Sequence, residues 1–127
     1  MDYSLQNMLV ALGQLLLGGL FVFTGLNNFG PLGDRAAAGL KARGIPSPRE
    51  VLKVASAFEV VAGACLMLGA MVAPAALALA LYTVVASYVL SNFWQQPLGE
   101  TREVMHRTFI ANIAIVGGLL LAAAQAL

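Results

Sequence analysis

Four blocks of apolar residues, each about 20 long and each closed by a polar or proline-containing break, leave this chain few folds to choose from. That length is what an α-helix needs to cross the hydrocarbon core of a bilayer, roughly 30 Å thick. Backbone N–H and C=O groups find no water there, so uninterrupted apolar blocks of this size read as helices. The blocks cover residues 5–28, 48–70, 74–93 and 104–126. Charged residues make up 10% of the chain, against about 25% in soluble domains. That is too few to cover a surface facing water, and mean hydropathy is +0.84. The expected fold class is therefore all-α, an integral membrane four-helix bundle occupying residues 1–127 as a single domain.

The connections carry the polar residues. The first block ends at Gly30-Pro31-Leu32-Gly33, a strong break. Asp34 is placed to cap a short helix over 34–43, lying on the membrane surface, with Gly44 at its C′ position. Ser47-Pro48-Arg49-Glu50 reads as a capping box with proline at N1, opening the second span. Met71-Val72-Ala73-Pro74 holds no charge and predicts a tight hairpin. Glu103 and Arg107, at i and i+4, are expected to pair at the start of the fourth span.

All seven basic residues (Arg35, Lys41, Arg43, Arg49, Lys53, Arg102 and Arg107) fall in the first–second and third–fourth connections or the adjoining helix ends. The positive-inside rule places both connections in the cytoplasm and both termini outside, on the periplasmic face of an inner membrane. Phe29, Phe93 and Trp94 sit at the same cytoplasmic edge, as an aromatic belt requires.

Several function classes are excluded. A net charge of +1 without a Lys/Arg cluster gives no footprint for nucleic acid. Cys65 is the one cysteine and lies inside an apolar block, where it reads as a small buried residue. Met1-Asp2-Tyr3-Ser4 lacks the basic start of a signal peptide, so the first block is expected to stay in the mature chain. His106 is the single histidine, in the polar first turn of the fourth helix, and reads as an interfacial residue. Haem or zinc would ask for more ligands, so no metal site and no cofactor held by the chain's own ligands is expected. Gly117-Gly118 lies within an apolar helix and reads as packing.

Glu59 is the most informative residue. It lies about 12 residues into the second helix, roughly 18 Å along its axis, and no other acidic residue is so deep. A lone intramembrane carboxyl is costly and should face the bundle interior. It can carry a proton or bind a ligand; it can also serve as hydrogen-bonded glue between helices. Ser56 and Gly63 share its side of the helix, with Ala55 and Ala62 beside them. In the first helix Gln14, Gly18, Phe21, Gly25 and Asn28 form a second small-and-polar stripe. Thr83, Ser87 and Ser91 recur on the third span, Thr108 and Asn112 on the fourth. Small residues let helices approach closely, and the amides of Gln14 and Asn112 need partners in lipid. Trp94 reads as an interface anchor or a stacking site.

These features together resemble the DoxX family of small four-helix membrane proteins. The residues that carry the resemblance are Phe23-Thr24-Gly25-Leu26-Asn27-Asn28, Leu40-Lys41-Ala42-Arg43-Gly44-Ile45-Pro46, Glu59-Val60-Val61-Ala62-Gly63 with Gly69, Ser91-Asn92-Phe93-Trp94, and the run from Phe109 to Leu120. The resemblance implies a bundle found with membrane redox systems, such as quinol oxidase or thiosulfate:quinone oxidoreductase assemblies. It leaves Glu59 with Asn112 as the polar centre.

The functional expectation is a small accessory subunit of a membrane redox or quinone-linked complex, without catalytic activity of its own. Its contacts would be quinone or lipid, and its partners a larger membrane complex or a homo-oligomer. The alternatives are a proton-coupled small homodimeric transporter and a purely structural or assembly subunit. The candidate ligand-binding or proton-carrying residues are Glu59, Asn112, Asn28, Gln14 and Trp94. The orientation is checked by reporter fusions: alkaline phosphatase joined after Leu127 should be active, and inserted at Gly44 inactive. The opposite pattern would invert the topology.

Overall fold

The computed structural model describes residues 3–127; Met1 and Asp2, which bear on the expectation about a leader, lie outside them. Five α-helices follow in order: α1 (Tyr3–Asn27), α2 (Leu32–Ala42), α3 (Pro48–Leu68), α4 (Val72–Leu90) and α5 (Glu100–Ala126), with a 3-10 turn at Phe93–Gln95. Four of them, α1, α3, α4 and α5, are long and apolar enough to cross a membrane. The chain is an all-helical, multi-pass membrane bundle, with α2 as the expected short helix between the first two spans.

Small residues set the packing. Gly18 on α1 meets Gly63 on α3 backbone to backbone, and a Cβ built at Gly63 would stand 2.8 Å from the Gly18 carbonyl. Seven residues along α1 and seven back along α3, a Cβ at Gly25 would stand 2.8 Å from the Ser56 carbonyl. The two contacts fix α1 and α3 as a tight antiparallel pair. On the other side α4 packs closely on α5, and between the pairs Leu66, Leu79 and Leu119 are fully buried around Ala76. Contact between α1 and α5 is sparse by comparison.

At one end α2 lies across the bundle, burying Ala37 and Leu40 against Leu52, with Val89 and Leu90 alongside. Arg43, just past α2, donates from Nη1 to Gln95 Oε1 at 2.6 Å, and its guanidinium lies 5.5 Å from the Tyr88 ring centre. Both charged connections therefore share one end of the molecule.

Helix ends depart from the expectations in instructive ways. α2 begins two residues before Asp34, which joins its first turn instead of capping it and pairs with Arg49 at 2.8 Å. The tight turn before it needs Gly33, since a Cβ there would run into the Asn28 carbonyl. Gly44 does close α2, at φ +77°, with Ile45 N–H bonded to the Leu40 carbonyl and Gly44 N–H to that of Lys41, a Schellman ending.

The capping box does not form. Ser47 is left-handed, at φ +50°, and its hydroxyl makes no cap bond. A capping box needs extended backbone at the N-cap, and the sharp turn from α2 into α3 denies it. Proline at N1 alone marks that start. The second span ends at Leu68, not at residue 70, because Gly69 takes φ +71° and closes the helix with a second Schellman pattern. α4 starts at Val72, ahead of Pro74, whose missing N–H costs nothing within a first turn. It ends at Leu90, not residue 93, where the 3-10 turn takes over. α5 starts at Glu100, and Glu103 and Arg107 do not form the expected pair. Both are exposed, where such a pair gains little.

The glycine contact makes a paired prediction. Gly63→Ala should lower the melting temperature in mild detergent, since overpacking costs about 1–3 kcal/mol. Gly13→Ala, where a Cβ meets nothing within 4 Å, should leave it unchanged or raise it. Equal effects would dissociate the glycine contact from the stability of the bundle.

Candidate functional site

Glu59 is the twelfth residue of α3, one turn after Ser56 and one before Gly63, so the face that packs on α1 also turns its carboxyl inward. Gly25 makes room for it: a Cβ at Gly25 would stand 3.2 Å from the Glu59 Cβ. Glu59 is 4% exposed, and among the described residues its Oε2 has no hydrogen-bond partner. Ser56 Oγ, one turn earlier, is likewise buried without a partner. Orphaned polar atoms are costly in any interior and more so in lipid.

Glu59 borders a cavity of about 320 Å³ between the α1–α3 and α4–α5 pairs, within the size range of small-molecule sites. Its polar lining comes from every long helix and the adjoining turns. Thr24 and Asn28 stand on the α1 side, Tyr82, Thr83 and Ser91 on the α4 side, and Thr108 and Asn112 on α5. Leu20, Phe21, Leu52, Leu90 and Ile115 supply apolar wall, and Ala36 of α2 borders the cavity beneath the charged connections. Among the described residues, no Lys, Arg or His lines it.

The hydrogen bonds show which lining groups are already committed. Asn112 Nδ2 donates to Ser87 Oγ at 2.8 Å, tying α5 to α4. Thr83 Oγ1 donates to the Leu79 carbonyl and Thr24 Oγ1 to the Leu20 carbonyl, both at 2.7 Å. Such back-bonding satisfies a hydroxyl in lipid and leaves its lone pairs able to accept. The Tyr82 hydroxyl is the side-chain group that interacts with the Glu59 carboxyl. Its ring is held by Phe58, centroids 5.5 Å apart. The cavity thus offers one carboxyl, one phenol, two amides and several hydroxyls around an apolar floor, a set suited to hydrogen-bonding a compact polar group.

Of the residues singled out in the sequence, Glu59, Asn112 and Asn28 meet at this cavity. Gln14 does not: it lies farther up α1, beside Gly69 and a separate groove shared with α5. Trp94 belongs to an aromatic cluster at the charged end, within 5.3–5.7 Å of Phe93, Tyr88 and Phe109. His106 stacks on Phe93 at 4.3 Å in the same cluster. Thr108, expected to face inward, borders the cavity yet is also exposed.

Tyr82 is the residue that the sequence reading passed over. A signal existed: it is the eleventh of the 19 residues of α4, far from either interface, where a tyrosine needs a partner for its hydroxyl.

The Asn112–Ser87 bond is open to a double-mutant cycle. Asn112→Ala and Ser87→Ala should each destabilise the bundle in detergent, with a coupling of about 0.5–2 kcal/mol. Purely additive effects would mean that the bond contributes nothing.

Comparison with curated proteins and with solved structures gives no match. The sequence model of one family, DoxX, matches residues 9–92. That stretch holds α1 from its second turn, α2, α3, α4 and the Glu59 face, well over half of the chain. The protein belongs to the DoxX family.

Proposed function

We propose that this protein is a small accessory subunit of a quinone-linked membrane redox complex, and that the Glu59 cavity contacts the quinone ring. One observation carries the reading: a buried carboxyl oxygen without a partner borders a cavity of about 320 Å³ at membrane depth. A quinone presents carbonyl oxygens, which only accept hydrogen bonds. Glu59 in its acid form supplies the donor for such a carbonyl, with Tyr82 set against its carboxyl and Asn112 also on the lining. The apolar wall of Leu20, Phe21 and Ile115 suits the ring faces. The chain's role is to bind and orient; the redox chemistry belongs to the partner subunits.

The test is purification from native membranes in mild detergent, followed by quinone turnover of whatever complex co-elutes. Glu59→Leu, which removes the carboxyl donor, should reduce turnover by about tenfold or more, and Glu59→Gln, which keeps an N–H donor, by less. Unchanged turnover in Glu59→Leu would remove the role. Isolation as a homo-oligomer without redox partners, exporting substrate at the expense of a proton gradient once reconstituted, would establish a transporter instead.

A further inference from the structure

The seam between α1 and α5 is where the bundle is least closed, and two openings lie along it. The first is the Glu59 cavity. Leu20 and Thr24 on α1 and Thr108 on α5 line it while also being exposed on the outside of the bundle. Its wall is therefore open sideways, between those two helices. The second is a groove of about 220 Å³ farther along the same seam, bordered by Leu9, Gly13 and Leu17 of α1 and Gly118, Leu121 and Ala122 of α5.

The two openings differ in chemistry. The cavity is ringed by Glu59, Tyr82, Asn112 and hydroxyls, and holds an unpartnered carboxyl oxygen. The groove is walled mainly by aliphatic side chains and by glycines that leave it room, with the exposed Gln125 at its rim on α5. A Cβ at Gly13 would meet nothing within 4 Å, and one at Gly118 would meet only the Leu17 methyls, at 3.6 Å. Gln14 borders the groove, but its Oε1 lies toward Gly69 on the α3 side. Along α5, Asn112 and Gly118 are six residues apart, about 9 Å, a distance that one extended molecule spans.

We infer that the α1–α5 seam is a lateral port for one lipid-dissolved amphiphile, its compact carbonyl-bearing head at Glu59 and its single apolar chain laid between Gly13 and Gly118. The inference rests on the cavity being the head site, as proposed above, and adds the direction of approach and the place of the chain. A head that must reach Glu59 from water at the charged end would meet α2, whose Ala36 borders the cavity there. One approaching within the bilayer meets Leu20 and Thr108 at an open wall. In lipid the groove adds little hydrophobic affinity, because bilayer tails are as apolar as its walls. Its contribution is steric: it gives the chain of a seated head somewhere to lie.

The full-length protein in lipid nanodiscs is tested with two probes, a decyl-substituted benzoquinone and the same ring without its chain. Gly118→Leu fills the groove from α5 and Gly13→Leu from α1. Each should weaken binding of the chained ring by about tenfold and leave the chainless ring within about twofold of wild type. Glu59→Leu should weaken both rings. Wild-type binding of the chained ring by both groove variants would overturn the port while leaving the head site intact. Equal weakening of both rings by both groove variants would overturn it as well, since the groove would then not distinguish a chain. If neither ring binds the wild type, the head site itself falls, and the port with it.

Discussion

Backbone contact between Gly18 and Gly63 is the constraint from which the rest of the bundle follows. Lipid provides no hydrophobic drive to bring helices together, so close packing of small residues has to do so. Gly18 and Gly25 occupy one stripe of α1, Ser56 and Gly63 one stripe of α3, and the two stripes meet in antiparallel register. Glu59 lies between Ser56 and Gly63 on the same helix face, so the contact that joins the helices also turns its carboxyl into the interior. The small face of α1 is used on α3, which leaves its approach to α5 loose. The cavity and the open seam are the consequence.

The charged end is closed by a different chemistry. α2 is amphipathic, and Ala37 and Leu40 hold it on Leu52 while its charges stay outside. Gln95 Oε1 accepts from both Arg43 and Asn92, which joins the end of α2 to the 3-10 turn before α5. Phe93, Trp94, Tyr88 and Phe109 pack beside this junction. The cavity thus meets α2 toward the charged connections, and its exposed lining residues lie along the α1–α5 flank.

Much of this was legible in the sequence because it depends on local period. Block length gave four spans, and the 3.6-residue repeat identified the stripes that the fold buries: Gly18, Phe21 and Gly25 on α1, Ser56, Glu59 and Gly63 on α3, Thr83 and Ser87 on α4. A stripe tells the face of a helix but not the depth. Gln14 and Asn28 share one stripe, yet 14 residues separate them, about 21 Å along the axis, and only Asn28 reaches the cavity. Tyr82 was missed because its meaning lies in a partner on another helix, Glu59, which no spacing within α4 announces. Helix ends were misjudged where backbone geometry overrode residue preference, as at Ser47 and Met71, both with positive φ.

If the α1–α5 seam is a port, Glu59 is a membrane-depth carboxyl reachable from the bilayer through the flank of the bundle. Carbodiimide labelling of intact membranes, with adducts located by peptide mass spectrometry, tests it most directly. A lipid-soluble carbodiimide such as dicyclohexylcarbodiimide adds to a carboxylic acid without leaving the bilayer; a water-soluble one reaches only carboxyls in contact with water. The lipid-soluble reagent should modify Glu59, and the water-soluble reagent should modify Asp34 and Glu100 but leave Glu59 free. Glu59 untouched by the first reagent, or modified as readily by the second, would contradict it.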